Sequence, residues 1–307
     1  MSGRKTPLAA LVLFSVLIAT SLGITGCITN PETHVCGNTS FNPQAQSCCN
    51  GMVKDGISGC GSFSPVTLTH LEDAISKTCN GCPDNCTMAD GRKICSGSCS
   101  SPSCSGGSGT ANYSAILHQS SPSRDGSSTL LSITAGSRPT DFLDDLFWIK
   151  VGAQKNATHF VYDLWVYPDN DSLNAKALEF DLIQVVSGVR YDFSSQCVYH
   201  CNNLTCYWQV WDPTTSPSWV DSSLVCEKFA PNAWHHIVWE YQIHPDTRQT
   251  EYLTLTLDNV SNPMYLKNPS EATPWADNLL IQIQQDTRPL GENSFSEWVD
   301  EVNLTFW

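Results

Sequence analysis

The chain is poor in basic residues: sixteen Lys and Arg stand against thirty Asp and Glu in 307 residues, a formal net charge of −14. This balance excludes nucleic acid as a partner, because phosphate backbones are held by clustered cations. It also excludes attachment to anionic lipid through a basic patch. No segment carries the period of a long amphipathic helix, which rules out parallel β/α architectures. Tryptophan is missing from the first 110 residues, and all ten tryptophans lie from Trp148 onward. Without large aromatics and with few aliphatics, that first region cannot fold on an apolar core alone. Long apolar runs are scarce as well, the clear one being Leu8–Leu22, too short for a membrane span.

What is present begins with a leader. Arg4 and Lys5 precede the apolar run, and residues 1–26 read as a signal peptide. Its close, Leu22-Gly23-Ile24-Thr25-Gly26-Cys27, resembles a bacterial lipobox and marks Cys27 as a lipidation site; an ordinary leader cleaved nearby is the other reading. Cysteine parity supports the lipid. Fifteen cysteines are an odd number for an oxidising compartment, and removing Cys27 leaves ten between Cys36 and Cys104 and four between Cys197 and Cys226. The expected location is the outer face of the cell envelope, or the medium. Asn-x-Ser/Thr sites at Asn38, Asn85, Asn112, Asn156, Asn170, Asn203, Asn259 and Asn303 keep a glycosylated eukaryotic origin open.

Two regions follow. Residues 27–95 form a cysteine-rich module held by cross-links, with one expected helix over Leu68–Lys77, where Leu68, Leu71 and Ile75 share a face and Thr69 with Glu72 has capping-box spacing. Cys79, Cys82, Cys95 and Cys99 have the spacing of a zinc site, although exported thiols favour disulfides. Residues 96–110 read as a Ser/Gly/Cys linker. Residues 111–307 alternate polar and apolar positions in short runs, such as His159–Tyr167, Ala177–Ile183, Trp234–Ile243 and Trp298–Trp307. That is the period of half-buried strands, so the expectation is an all-β, two-sheet antiparallel sandwich in which the run Tyr113–Thr134 shares a sheet with the last strand. Its four cysteines are expected to nest, Cys201 with Cys206 and Cys197 with Cys226.

Cys36-Gly37 through Cys48-Cys49-Asn50-Gly51 resembles one galaxin-like repeat. Trp234-His235-His236-Ile237-Val238, followed by Leu253–Asn259, resembles the laminin G-like pattern, with Asn259 where that family usually has glycine. Together with Ala177–Asp181, Gln196-Cys197, Trp208–Asp212 and Trp298–Val302, these marks resemble the concanavalin A-like lectin/glucanase domain found in exported acidobacterial proteins. The resemblance implies a jelly roll and covers lectins, glycosidases, lyases and adhesion modules alike.

Glu179-Phe180-Asp181 is the sharpest chemical candidate. Retaining glucanases of that superfamily carry Glu-x-Asp followed by a second Glu, and the reaction needs two carboxyl groups about 5–5.5 Å apart. Here the proton-donor position holds Ile183, or Gln184 with a bulge, and neither transfers a proton. Asp286 or Asp163 could replace the missing acid from another strand. A lyase would draw on Tyr207, His235 and Arg190. Alternation sends His235 and His236 to opposite faces, so they are read as structural and no metal is assigned to them. No cofactor is required, although Asp169, Asn170 and Asp171 could offer oxygens to calcium at the sandwich rim. The expected function is glycan binding, to a polysaccharide or cell-surface glycan. The groove would be lined by Asp163, Trp165, Glu179, Asp181, Gln184, Tyr207, Gln209, Trp211, Gln282 and Gln284, flat rings for sugar faces and amides and carboxylates for hydroxyls. Alternatives are a polysaccharide-degrading enzyme on the same fold and a protein-protein adhesion module.

Overall fold

A computed structural model describes residues 34–36, 39–41, 46–49, 52–55, 65–75, 95–100, 111–135, 143–201, 205–214, 218–288 and 294–307. The leader, Cys27, Cys79 and Cys82 lie outside the described residues. The chain divides into two compact units, Met1–Gly59 and Cys60–Trp307. In the first, β1 (His34–Cys36) pairs with β2 (Thr39–Phe41), and β3 (Gln46–Cys49) pairs with β4 (Met52–Asp55), both antiparallel.

The second unit is a two-sheet antiparallel sandwich. Its strands are β5 (Val66–Leu68), β6 (Cys95–Ser100), β7 (Ala111–Gln119), β8 (Ser128–Ala135), β9 (Asp144–Lys150), β10 (His159–Pro168), β11 (Ala177–Val186), β12 (Val189–Asp192), β13 (Ser195–Val198) and β14 (Tyr207–Asp212). They continue with β15 (Ser218–Val225), β16 (His235–His244), β17 (Gln249–Leu257), β18 (Val260–Pro269), β19 (Glu271–Ala272), β20 (Asn278–Asp286) and β21 (Phe295–Phe306). One eight-stranded sheet runs β18-β17-β16-β10-β21-β8-β7, with β5 added on β21. The nine-stranded sheet runs β15-β14-β13-β11-β20-β9-β6, with β12 on β11 and β19 on β12. As expected, β8 lies beside the closing strand β21.

Strand alternation builds the core. Leu178, Phe180 and Leu182 of β11, Trp208 and Val210 of β14, and Ile281 and Ile283 of β20 face inward from the nine-stranded sheet. Phe160, Tyr162, Leu164 and Val166 of β10 meet them, together with Ile237, Trp239, Tyr241 and Ile243 of β16. Each fully buried side chain of this kind stabilises by roughly 1.5–3 kcal/mol. The rings of Trp208 and Trp239 pack edge-on at 5.5 Å. The disulfide Cys197–Cys226 ties β13 to the chain after β15, and Cys201–Cys206 links the two ends of the connection between β13 and β14. The turns use left-handed residues: Ser187 and Gly188 (φ +52° and +77°) join β11 to β12, and Asp258 and Asn259 (φ +47° and +68°) join β17 to β18. Asn259 thus does the work the resembled family gives to glycine.

Two upstream segments differ from the sequence reading. Within residues 65–75 the expected helix is instead the strand β5 followed by a 3₁₀ turn, Leu71–Ala74. Glu72 does not cap it. The Val302 amide donates to Glu72 Oε2 (2.9 Å), and the Glu72 carbonyl accepts from Thr129 Oγ1 (3.1 Å), so tertiary bonds replace the local cap. Residues 95–100, placed by composition at the edge of the module and in the linker, form the edge strand β6 against β9. The sandwich therefore recruits chain upstream of Ala111.

Candidate functional site

Cross-strand partners share a face, so the register defines what stands on the outer side of the nine-stranded sheet. One row runs Asp221, Gln209, Gln196, Glu179, Gln284 across β15, β14, β13, β11 and β20. A neighbouring row holds Asp181 on β11, Gln282 on β20 and Trp148 on β9, and Trp211 faces Trp219 on β14 and β15. A third sets Ala177 between Val198 and Asp286, with Asp144 beyond.

The first row is hydrogen-bonded as a ladder. Gln196 Nε2 donates to Gln209 Oε1 (2.7 Å), and Gln209 Nε2 donates to Asp221 Oδ1 (2.8 Å). Across Glu179, Gln284 Nε2 donates to Glu179 Oε2 (2.9 Å) and to Asp286 Oδ1 (3.0 Å), bridging two carboxyl groups with one amide. Gln196 Oε1 has no donor among the described residues. At the β14–β15 end the ladder opens into a cleft of about 620 Å³ walled by Gln196, Gln209, Asp221, Tyr207 and Trp219. Lys176, His200 and Arg288 close its far side, where β11 begins and β13 and β20 end.

Glu179 of this row belongs to an acidic cluster with Asp181, Asp286 and Asp192. Glu179 and Asp181 keep only 6% and 2% of their surface, so neither is presented to a ligand in the open cleft. Asp181 Oδ1 accepts from the Ser195 amide (3.2 Å). Burial, reinforced by the Asp181 and Asp286 charges, a hydrogen bond shared with Asp181 and the Asp192 charge, pushes the Glu179 carboxyl well above its ordinary range. Burial first, then the Asp192 charge, raises Asp181 to about 7. Asp286 is likewise raised to about 7 by burial, against the favourable charge of Lys176. Asp192 is ion-paired with Arg190, which also reaches Glu271 (2.9 Å) and lies 4.8 Å from the Trp275 ring.

The sequence-predicted residues thus divide. Tyr207 and Gln209 line the cleft, and Trp211 and Gln282 stand half-buried on the same face. Glu179, Asp181 and Gln284 share the face but are buried. Gln184 is misplaced by the sequence reading. It sits in phase with Phe180 and Leu182, is fully buried, and donates Nε2 to the Gln154 carbonyl (2.6 Å), because β11 runs without the bulge that would turn it outward. Asp163 and Trp165 are misplaced too, since β10 belongs to the eight-stranded sheet and they point outward from that sheet. There Asp163 Oδ1 accepts from His236 Nε2 (2.8 Å), and Trp165 stacks on His236 at 4.2 Å beneath the Arg124 guanidinium at 3.3 Å.

At the glucanase donor position, Ile183 packs with Val185 and Leu280 in a small apolar cluster. Asp286 does reach the Glu179 side, through Gln284, whereas Asp163 does not. His235 meets Asp258 (2.8 Å) on the other sheet, so the lyase set Tyr207, His235 and Arg190 is dispersed. The Asp169 carboxylate accepts from the Ser172 and Ser296 amides (2.8 and 2.9 Å), and Asn170 accepts from Asn232 (2.9 Å). Among the described residues no three His, Cys, Asp or Glu are grouped to hold a metal ion. Gln196, quoted from sequence only as a mark of the resemblance, and the cations of the cleft were not read as site residues. Gln196 was legible from its neighbour, since a disulfide Cys197 facing inward turns residue 196 outward.

No family model matches the chain, and no curated protein matches it. Among solved structures, it is similar to an endo-β-1,4-glucuronan lyase from the fungus Trichoderma reesei, at 11% identity over 62% of this chain and 86% of that one, with a TM-score of 0.41. An alginate lyase is similar at 10% identity, over 60% and 81% of the two chains, with a TM-score of 0.36. The winged bean acidic lectin is similar at 11% identity, over 69% and 98%, with a TM-score of 0.35.

Proposed function

We propose that this is an exported carbohydrate-binding protein, held at the envelope by lipid on Cys27, that seats a saccharide in the cleft on the outer face of the nine-stranded sheet. The observation that carries this reading is the Gln196–Gln209–Asp221 ladder beside Tyr207 and Trp219 in an open cleft of about 620 Å³. Amides and a carboxylate already aligned by one another meet sugar hydroxyls at little further ordering cost, and flanking rings cover the apolar faces of a pyranose. Hydrolysis is disfavoured because Glu179 and Asp181 are buried and do not line the cleft, and Ile183 occupies the donor position. The test is retention of the full protein on a panel of insoluble and immobilised polysaccharides, with and without chelator so that a calcium requirement is detected. Retention lost in Tyr207→Ala and Gln209→Ala supports the reading. Release of reducing ends by the wild type would make it an enzyme, and retention of both variants at wild-type level would move the site elsewhere.

A further inference from the structure

The cleft has one wall that the charge of the protein does not predict. In a chain of net charge −14, three side chains that carry positive charge at neutral pH converge at the end of β11, β13 and β20. Lys176 and Arg288 line the cleft, and Lys228 Nζ lies 3.3 Å from His200 Nε2 in the same wall. Lys228 Nζ donates to the Leu173 carbonyl (3.1 Å), and His200 Nε2 lies 3.3 Å from the same oxygen. Among the described residues, no carboxylate stands within ion-pair distance of Lys228 or Arg288, whereas Lys155, Arg124 and Arg190 each have one. The crowding is costly: burial, then Lys228 and Arg288, lowers the His200 pKa, and burial, then Arg288, lowers that of Lys228. Lys228 and Arg288, without an ion-pairing carboxylate among the described residues and set beside Lys176 at the mouth of a polar cleft, form a seat for an anion.

We propose that the cleft takes an anionic saccharide, with a uronate carboxylate or a sulfate seated against Lys176, Lys228 and Arg288 and the sugar ring lying over the Gln196–Gln209 ladder. This rests on the carbohydrate-binding reading and names its ligand class. Long-range repulsion by an acidic protein works against any polyanion, so binding of one requires this local wall.

The experiment uses the full protein on immobilised polygalacturonate and alginate, on their carboxyl-reduced neutral counterparts, and on dextran sulfate beside plain dextran, at low and high salt. The expected result is retention on a uronate or a sulfate polymer, loss on its neutral counterpart, and release by salt. The exposed pair Lys228→Ala/Arg288→Ala should weaken that retention about tenfold or more, as loss of charge-assisted hydrogen bonds does. Which polymer retains the protein tells carboxylate from sulfate. Retention on the neutral polymers alone, or anionic retention that the double variant leaves unchanged, overturns this inference and leaves the carbohydrate reading standing. Retention on none of the six, nor on the wider polysaccharide panel, overturns both.

Discussion

The two outer faces of the sandwich use charge in opposite ways. On the eight-stranded sheet opposite charges and rings alternate: Glu301, Arg124, Trp165, His236 and Asp163 form one continuous stack. On the nine-stranded sheet like charges are gathered: Glu179, Asp181 and Asp286 lie together beside the amides of Gln196 and Gln284, and Lys176, Lys228 and Arg288 lie together at the sheet's end. The first arrangement satisfies itself. The second costs folding free energy and leaves hydrogen-bonding capacity directed at a cleft, which is how binding surfaces differ from merely solvated ones.

The largest consequence is a pH dependence of stability. Asp181 and Asp286 are raised to about 7, Glu72 also to about 7, Glu297 to about 8 and Asp145 to about 9, all chiefly by burial. An acid raised on folding binds its proton more tightly in the native state, so its contribution is complete below the unfolded-chain value near 4 and is lost as pH rises through the folded value. Stability should therefore fall steadily from about pH 4 to pH 9, monitored by thermal melting. Asp181→Asn removes one such group and relieves Glu179 of its nearest like charge. It should flatten the curve between pH 4 and 7 and raise stability at neutral pH by a few kcal/mol relative to the wild-type trend, since each pKa unit corresponds to roughly 1.4 kcal/mol. A wild-type curve that rises over this range would break the contrast between the faces.

These charges also mark where the sequence was legible. Alternation along β11, β14, β16 and β20 showed the sandwich and which residues face inward, because a period of two is a property of the strand itself. It could not say to which sheet a strand belongs. Asp163-Leu164-Trp165 and Tyr207-Trp208-Gln209 have the same local pattern, yet β10 falls beside β16 and β21 in one sheet and β14 beside β13 in the other. Sheet membership is decided by long-range pairing. Gln184 failed for a smaller reason, an assumed bulge where β11 pairs without a shift to β20. The cationic wall was illegible because Lys176, His200, Lys228 and Arg288 lie far apart in the chain and meet only at the strand ends.

A middle-sized effect sharpens the comparison from the paired side. Trp165→Ala removes the ring between Arg124 and His236, forfeiting a cation–π contact and a stacked pair along with part of the ring's burial. A loss of about 2 kcal/mol of stability is expected in denaturant unfolding, with retention on polysaccharide unchanged. Weakened retention would return Trp165 to the binding surface and dissolve the distinction between the two faces.

The smallest effect comes from two matched carboxylates. Asp258, in the β17–β18 turn at the end of the eight-stranded sheet, and Asp221, on the outer face of the nine-stranded sheet, are both exposed, and each accepts from its neighbours: Asp258 from the His236 amide (2.8 Å) and His235 Nδ1 (2.8 Å), Asp221 from Gln209 Nε2 (2.8 Å). Asp258→Asn keeps the shape but offers only one acceptor oxygen, so it should cost about 0.5 kcal/mol or slightly more, the scale of an exposed ion pair, and that cost should shrink in high salt. Asp221→Asn should leave stability unchanged within about 0.5 kcal/mol while altering affinity several-fold, because the carboxylate orients the Gln209 amide toward the cleft. If Asp258→Asn changes polysaccharide retention and Asp221→Asn does not, the cleft is on the wrong face; a shift in Asp221→Asn affinity alone ties recognition to the ladder, since the two substitutions alter charge by the same amount.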